Sequence, residues 1–130
     1  MVYAEDVQLD WKSGALAEGL ACYGRAEFFL AHEHWESVWL ELQEPERSFL
    51  QALIQVAAAC HHQSTGNSAG AVSLMQRALS RFEVCPTCFG GIAVANLCAE
   101  MCRWLQATES GVPELIAAFP HICPVDPLPE

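Results

Sequence analysis

The sequence predicts an all-α protein, a single compact bundle of five to six helices over residues 1–130. Two observations predict this class. Apolar residues recur at three- and four-residue spacing along almost the whole chain, and no convincing run alternates apolar and polar residues as a half-buried strand would. Clusters of Gly, Pro and Asn cut that pattern into segments of helical length. With 52% hydrophobic and 17% charged residues in 130, the chain can build one sizeable core and is not of disordered composition.

A first helix is expected from about residue 11 to 22. Asp10 or Ser13 would cap it, and Leu16, Leu20 and Tyr23 would form its buried stripe. Tyr23-Gly24-Arg25 reads as a tight joint into a second helix over 25–43. Glu44-Pro45-Glu46 restarts the chain, since Pro suits a first helical turn and acids suit its positive dipole end. The third helix, about 46–65, carries Leu50, Leu53, Ile54 and the run Val56 to Cys60, so it is apolar nearly all round and belongs at the centre of the fold. Gly66-Asn67 stops it, with Asn67 or Ser68 as the next cap. A fourth helix, about 68–83, spaces Val72, Met75, Leu79 and Phe82 helically. Residues 85–91 read as a loop, and a fifth helix follows at about 92–107 with Leu97, Met101, Trp104 and Leu105. Val112 to Phe119 suggests one more short helix, and residues 120–130 a Pro-rich extended tail.

A net charge of −10, without any basic run, argues against a nucleic-acid partner. No apolar run approaches the roughly 20 residues that span a bilayer, so no membrane is expected either. An acidic N-terminus without a signal pattern points to the cytoplasm. Seven cysteines is an odd number, and Cys22, Cys60, Cys98 and Cys102 fall within helical apolar patterns, where they read as small buried hydrophobes of a reducing compartment.

The second helix holds the richest chemistry. On a wheel of about 100° per residue, Phe28, Phe29, Trp35 and Trp39 fall within roughly 60° of His32, Glu36 within about 40° and Glu33 at about 100°. An imidazole and a carboxylate are thus expected at the centre of an aromatic face. Buried titratable groups are costly unless paired or bound to a metal, so this stripe marks a candidate site. The third helix offers partners: His61 on the Ile54 face, with His62 and Gln55 on its polar flank. A short connection favours antiparallel packing, which would bring these faces together.

Phe28-Phe29-Leu30-Ala31-His32-Glu33-His34-Trp35-Glu36-Ser37-Val38-Trp39 resembles the "YFEAHEvwE..W" signature of the family catalogued as domain of unknown function 309. Phe49 to Ala59 resembles its "fyqGLIQvAaa" segment, and His61-His62 with Gly66-Asn67-x-x-Gly70-Ala71 its "hh…GN..GA" continuation. The resemblance covers about residues 16–80 and implies a small helical bundle; it brings no activity, substrate or cofactor. Ala52 stands where that family has Gly, a change expected to touch a close helix contact, and the cysteine-rich segment after residue 84 has no counterpart.

Three readings of the site stand side by side. In the first, His32, Glu33, Glu36 and His61 form a structural hydrogen-bonded network. In the second, His32, Glu36 and His61 hold a divalent iron, manganese or zinc ion, and Glu33 is a general base or fourth ligand of a hydrolase-like reaction. In the third, a metal-free pocket lined by Gln55, His62, Trp39 and Phe29 does acid–base chemistry or holds a small molecule. Against the enzyme readings stands a non-catalytic module that binds protein, with the network structural. Trp35 and Trp39 are core or the seam of a homodimer. Cys85-x-x-Cys88 is half of a zinc knuckle that Cys98, or His121 and Cys123, would have to complete; no zinc is expected there, because nothing in the sequence requires the tail to fold back.

Overall fold

In a computed structural model, which describes residues 9–116 and 118–125, the elements are α1 (Gly14–Gly24), α2 (Phe28–Trp39), α3 (Glu46–Ser64), α4 (Ser68–Phe82), β1 (Cys88–Phe89), β2 (Ile92–Ala93), α5 (Val94–Ser110) and α6 (Pro113–Ile116). Helices pack on their sequence neighbours, most extensively α3 on α4, then α1 on α2 and α2 on α3. Short connections impose this order. The all-α prediction holds, with a two-stranded antiparallel hairpin added to it.

α3 is the central element. Leu50, Ala52, Leu53, Val56, Ala57, Ala59 and Cys60 are all fully buried. Its end follows the predicted chemistry: the Asn67 side-chain Oδ1 accepts the Gly70 N–H at 3.0 Å and caps α4. Its start is held by Glu44, whose carboxylate accepts the Ser48 hydroxyl at 2.7 Å and backbone N–H at 2.9 Å. The Ser48 hydroxyl and then its N–H hold the Glu44 carboxyl below the usual carboxylate range.

α1 begins three residues later than expected. The Asp10 carboxylate instead forms a turn, accepting the Lys12 N–H and the Ser13 hydroxyl. This frees Trp11 to enter the core. Its indole N–H donates to Gly90 O at 2.7 Å, and its ring meets Trp35 edge-on with centroids 6.1 Å apart. α2 is shorter than the predicted 25–43: Ala26 adopts φ 62, which breaks the helix before it, and residues beyond Trp39 tighten into turns.

The hairpin was unanticipated. Gly90 and Gly91 take φ of 59 and 80, the positive values that a two-residue hairpin turn requires at both central positions. A Cβ on Gly90 would also collide with the Phe49 ring. The tail then packs back on this hairpin, contrary to the loose end expected. Ile92 bridges Pro124, Ala93 N–H donates to Cys123 O, and Val125 N–H donates to Gly91 O. Ile122 is buried, and the Tyr23 hydroxyl donates to Pro120 O. Residues 126–130 lie outside the described residues.

Two cysteine expectations are corrected. Cys22 and Cys60 are buried, but Cys98 is half-buried and Cys102 exposed, because Val94, Leu97, Met101 and Trp104 already fill the inner stripe of α5. Burial pushes the Cys85 and Cys98 thiols up to about 11. Native protein should therefore show three fast-reacting thiols (Cys88, Cys102 and Cys123), two slow ones and two protected ones; modification of Cys60 at the rate of Cys88 would contradict this placement.

Tyr23 and Cys60 make the core sensitive to alkali. Burial raises the Tyr23 hydroxyl well above 10.0, and burial pushes the Cys60 thiol from 9.0 up to about 12. Both are neutral when protonated, so their stabilisation is complete below about pH 9 and is lost as pH climbs from about 9 towards 12. Urea unfolding should show stability falling across that window, and Cys60→Ala with Tyr23→Phe should flatten the fall.

Candidate functional site

α2 brings His32 and Glu36 together one turn apart, with His32 Nε2 3.4 Å from Glu36 Oε2. They are close as expected but less buried: the His32 side chain is 27% exposed and Glu36 54%. The buried stripe of α2 is Phe28, Ala31 and Trp35, centred roughly 70° from His32 on the wheel. His32 and Glu36 therefore occupy the flank of the stripe and not its centre. The His32 ring is seated by Phe29, stacked at 5.9 Å between centroids and 20° between planes.

α3 supplies His61 on the same side. Its ring also touches Phe29, with centroids 5.4 Å apart, so the two imidazoles share one aromatic neighbour. His62 sits 6.1 Å from His61 between ring centroids, and its Nδ1 is 3.3 Å from the Asn67 amide nitrogen, at the edge as expected. At the other end of the seam the Arg47 guanidinium lies 4.0 Å over the Trp39 ring, a cation–π contact that also fits antiparallel α2 and α3. His32 Nδ1, Trp39 Nε1 and Gln55 Oε1 are buried without a protein partner. Glu33 is exposed near the middle of the outward face of α2.

Among the described residues no group of three or more His, Cys, Asp or Glu side chains is arranged to hold a metal ion. His32 and Glu36 form a pair, and His61 touches the Phe29 ring that seats His32. Near the hairpin, His121 turns to Glu100 at 2.9 Å instead of to the thiols.

An exposed i,i+4 pair couples weakly. A double-mutant cycle on His32→Ala and Glu36→Ala should give an interaction of about 0.2–0.5 kcal/mol in urea unfolding, less than the 1–3 kcal/mol cost that full burial would impose on each. A coupling above about 1 kcal/mol would mean that the pair is desolvated in solution.

What sequence reasoning missed is the outward face of α2. Phe29, Leu30 and Leu40 are 51%, 45% and 65% exposed, and they surround Glu33, Glu36 and Ser37. The signal was present: an apolar residue at each of these positions lies opposite the buried stripe, where a solvated helix would carry polar groups.

Among the described residues no helix is long and apolar enough to cross a membrane. The profile described as "Domain of unknown function (DUF309)" matches residues 16–74, which include all of α2 and α3. An uncharacterized protein of Aquifex aeolicus (strain VF5) is 30% identical over 99 residues, covering 75% of this chain; the chain spans 30% of that relative's length. Across residues 16–74 the chain resembles the DUF309 family, whose function is unknown, as the second- and third-helix segments implied.

Proposed function

We propose that this chain is a non-catalytic helical binding module, and that the outward face of α2 is its working surface. The carrying observation is the trio of exposed apolar side chains, Phe29 and Leu30 on α2 and Leu40 at its C-cap. Glu33 and Glu36 lie among them and Glu27 and Glu41 close by in sequence, all exposed. The two nearest cations are engaged: Arg25 pairs with Glu27 at 2.8 Å and Arg47 lies over Trp39. A face that mixes exposed apolar side chains with carboxylates suits a basic amphipathic partner segment, bound by its large apolar side chains and steered by Lys or Arg. A second copy of this chain is the poorer occupant, since both faces would be acidic in a chain of charge −10. The Aquifex relative supports a modular role, because the matched region is a minor part of a longer chain. An odd number of cysteines, with Cys22 and Cys60 packed as apolar side chains, supports a cytoplasmic setting.

Calorimetry with a synthetic Lys/Leu amphipathic peptide tests this, against a Lys/Ser peptide of equal charge. Binding should need the leucines, weaken with salt, and fall at least about tenfold in Phe29→Ser and Leu40→Ser, whose exposed positions leave the core intact. Equal binding of both peptides would reduce the effect to bulk charge and sink the proposal.

A second reading keeps the His32 cluster as a divalent-metal or small-molecule site, with His32, Glu36 and His61 as ligands and Glu33 as base. What favours it is that His32 Nδ1 is buried without a protein partner, Nε2 lies 3.4 Å from Glu36 Oε2, and His61 touches the Phe29 ring that seats His32. It requires Phe29 to swing away from both rings. Titration with Zn²⁺, Mn²⁺ and Fe²⁺ separates the two readings: one-to-one binding lost in His61→Ala supports the metal, and no such binding supports the module.

A further inference from the structure

A cleft of about 530 Å³ lies between α5 and the C-terminal segment 118–121. Its volume falls in the range of ligand pockets, about 300–1,000 Å³. Val112 and Phe119 give it a half-buried apolar wall in which the buried Trp104 and Ala107 show little surface, and Arg103, Glu100 and His121 supply its charged and polar groups. We propose that this cleft binds a small monocarboxylate with an aromatic or branched aliphatic body.

The polar groups define the ligand class. Glu100 Oε1 accepts both the His121 backbone N–H and the imidazole Nδ1 position, each at 2.9 Å. Burial works to raise the Glu100 carboxyl, but the two His121 hydrogen bonds outweigh it and hold the group below the usual carboxylate range. Glu100 is thus ionised, and its Oε1 is taken by His121. His121 Nε2 has no protein hydrogen bond among the described residues. The Arg103 guanidinium likewise has no ion pair or hydrogen bond among the described residues, although its charge is felt at Glu100. A guanidinium fork beside an oriented imidazole matches the two oxygens of a carboxylate. The half-buried Val112 and Phe119 side chains of the lining then favour an apolar body on the same ligand, which inorganic phosphate lacks.

The Trp104 indole N–H donates to Ile116 O at 2.9 Å and provides a reporter inside the cleft. The full chain is titrated with phenylacetate, 4-methylpentanoate and the neutral phenylacetamide while the Trp104 indole and His121 ring resonances are followed. At least one acid should shift both resonances saturably. Phenylacetamide should bind at least about tenfold more weakly than phenylacetate, and Arg103→Gln should weaken the acid by a similar factor without changing the unfolding temperature. His121→Gln provides a second variant, expected to weaken the acid while leaving residual binding through Arg103. No saturable shift with either acid, equal affinity for acid and amide, or an unaffected Arg103→Gln would each overturn the site.

Discussion

Trp35→Ala is expected to cost about 3–5 kcal/mol of folding stability, the largest effect of any single change considered. Trp35 is fully buried where α1, α2 and the N-terminal turn converge. Its ring stacks on Tyr23 at 6.1 Å and takes Trp11 edge-on, and its indole N–H donates to Leu16 O at 3.2 Å. Alanine would remove the ring that these three groups share, and rigid helices on both sides would keep the void from closing. Whole-domain stabilities run to about 5–15 kcal/mol, so the variant should unfold at much lower urea or not fold at all. A loss below about 1 kcal/mol would mean that this aromatic cluster does not hold α1 to α2.

Gly19→Ala should be nearly as informative, because its sign depends on Trp35. Glycine inside a helix is ordinarily about 1 kcal/mol worse than alanine, so the substitution would stabilise an isolated α1. Here a Cβ would fall within the van der Waals envelope of Trp35 Nε1 and Cδ1. The indole is fully buried and cannot move aside, so overpacking of about 1–3 kcal/mol should win. In a Trp35→Ala background the clash is gone, and Gly19→Ala should become neutral or stabilising. Urea denaturation of the four proteins of this cycle checks the reversal; additive effects would place Trp35 away from Gly19.

The core of the fold was legible where apolar pattern and punctuation agreed. α3 reads as central from its all-round apolar surface, and Gly66-Asn67 marks its end because Asn67 caps α4. Ala52 is fully buried in it. The hairpin escaped because two-residue strands are too short to alternate visibly; only the Gly90-Gly91 pair signals them. Trp11 and the docked tail escaped because their partners, Gly90 O and Gly91 O, lie about eighty and thirty residues away and are backbone groups that no side-chain pattern reveals.

The proximity of these side chains was legible in the sequence and their depth was not. His32 pairs with Glu36, and His61 meets the same Phe29 ring, as the two helical wheels suggested. The burial was misjudged because the aromatics Phe29 and Trp39 pulled the apparent centre of α2 towards His32. Ala31 carries little weight on such a wheel, yet it is fully buried and marks where α2 touches the core. That rotation places Glu33 and Glu36 towards solvent and makes a surface of what looked like an interior.

Amide chemical-shift mapping of the Lys/Leu amphipathic peptide on the full chain tests the binding surface most directly. The expected footprint covers Phe29, Leu30, Glu33, Glu36 and Leu40, with Trp104 and His121 unmoved. A footprint centred elsewhere, or none at peptide saturation, would contradict the assignment of α2's outward face as the working surface of the protein.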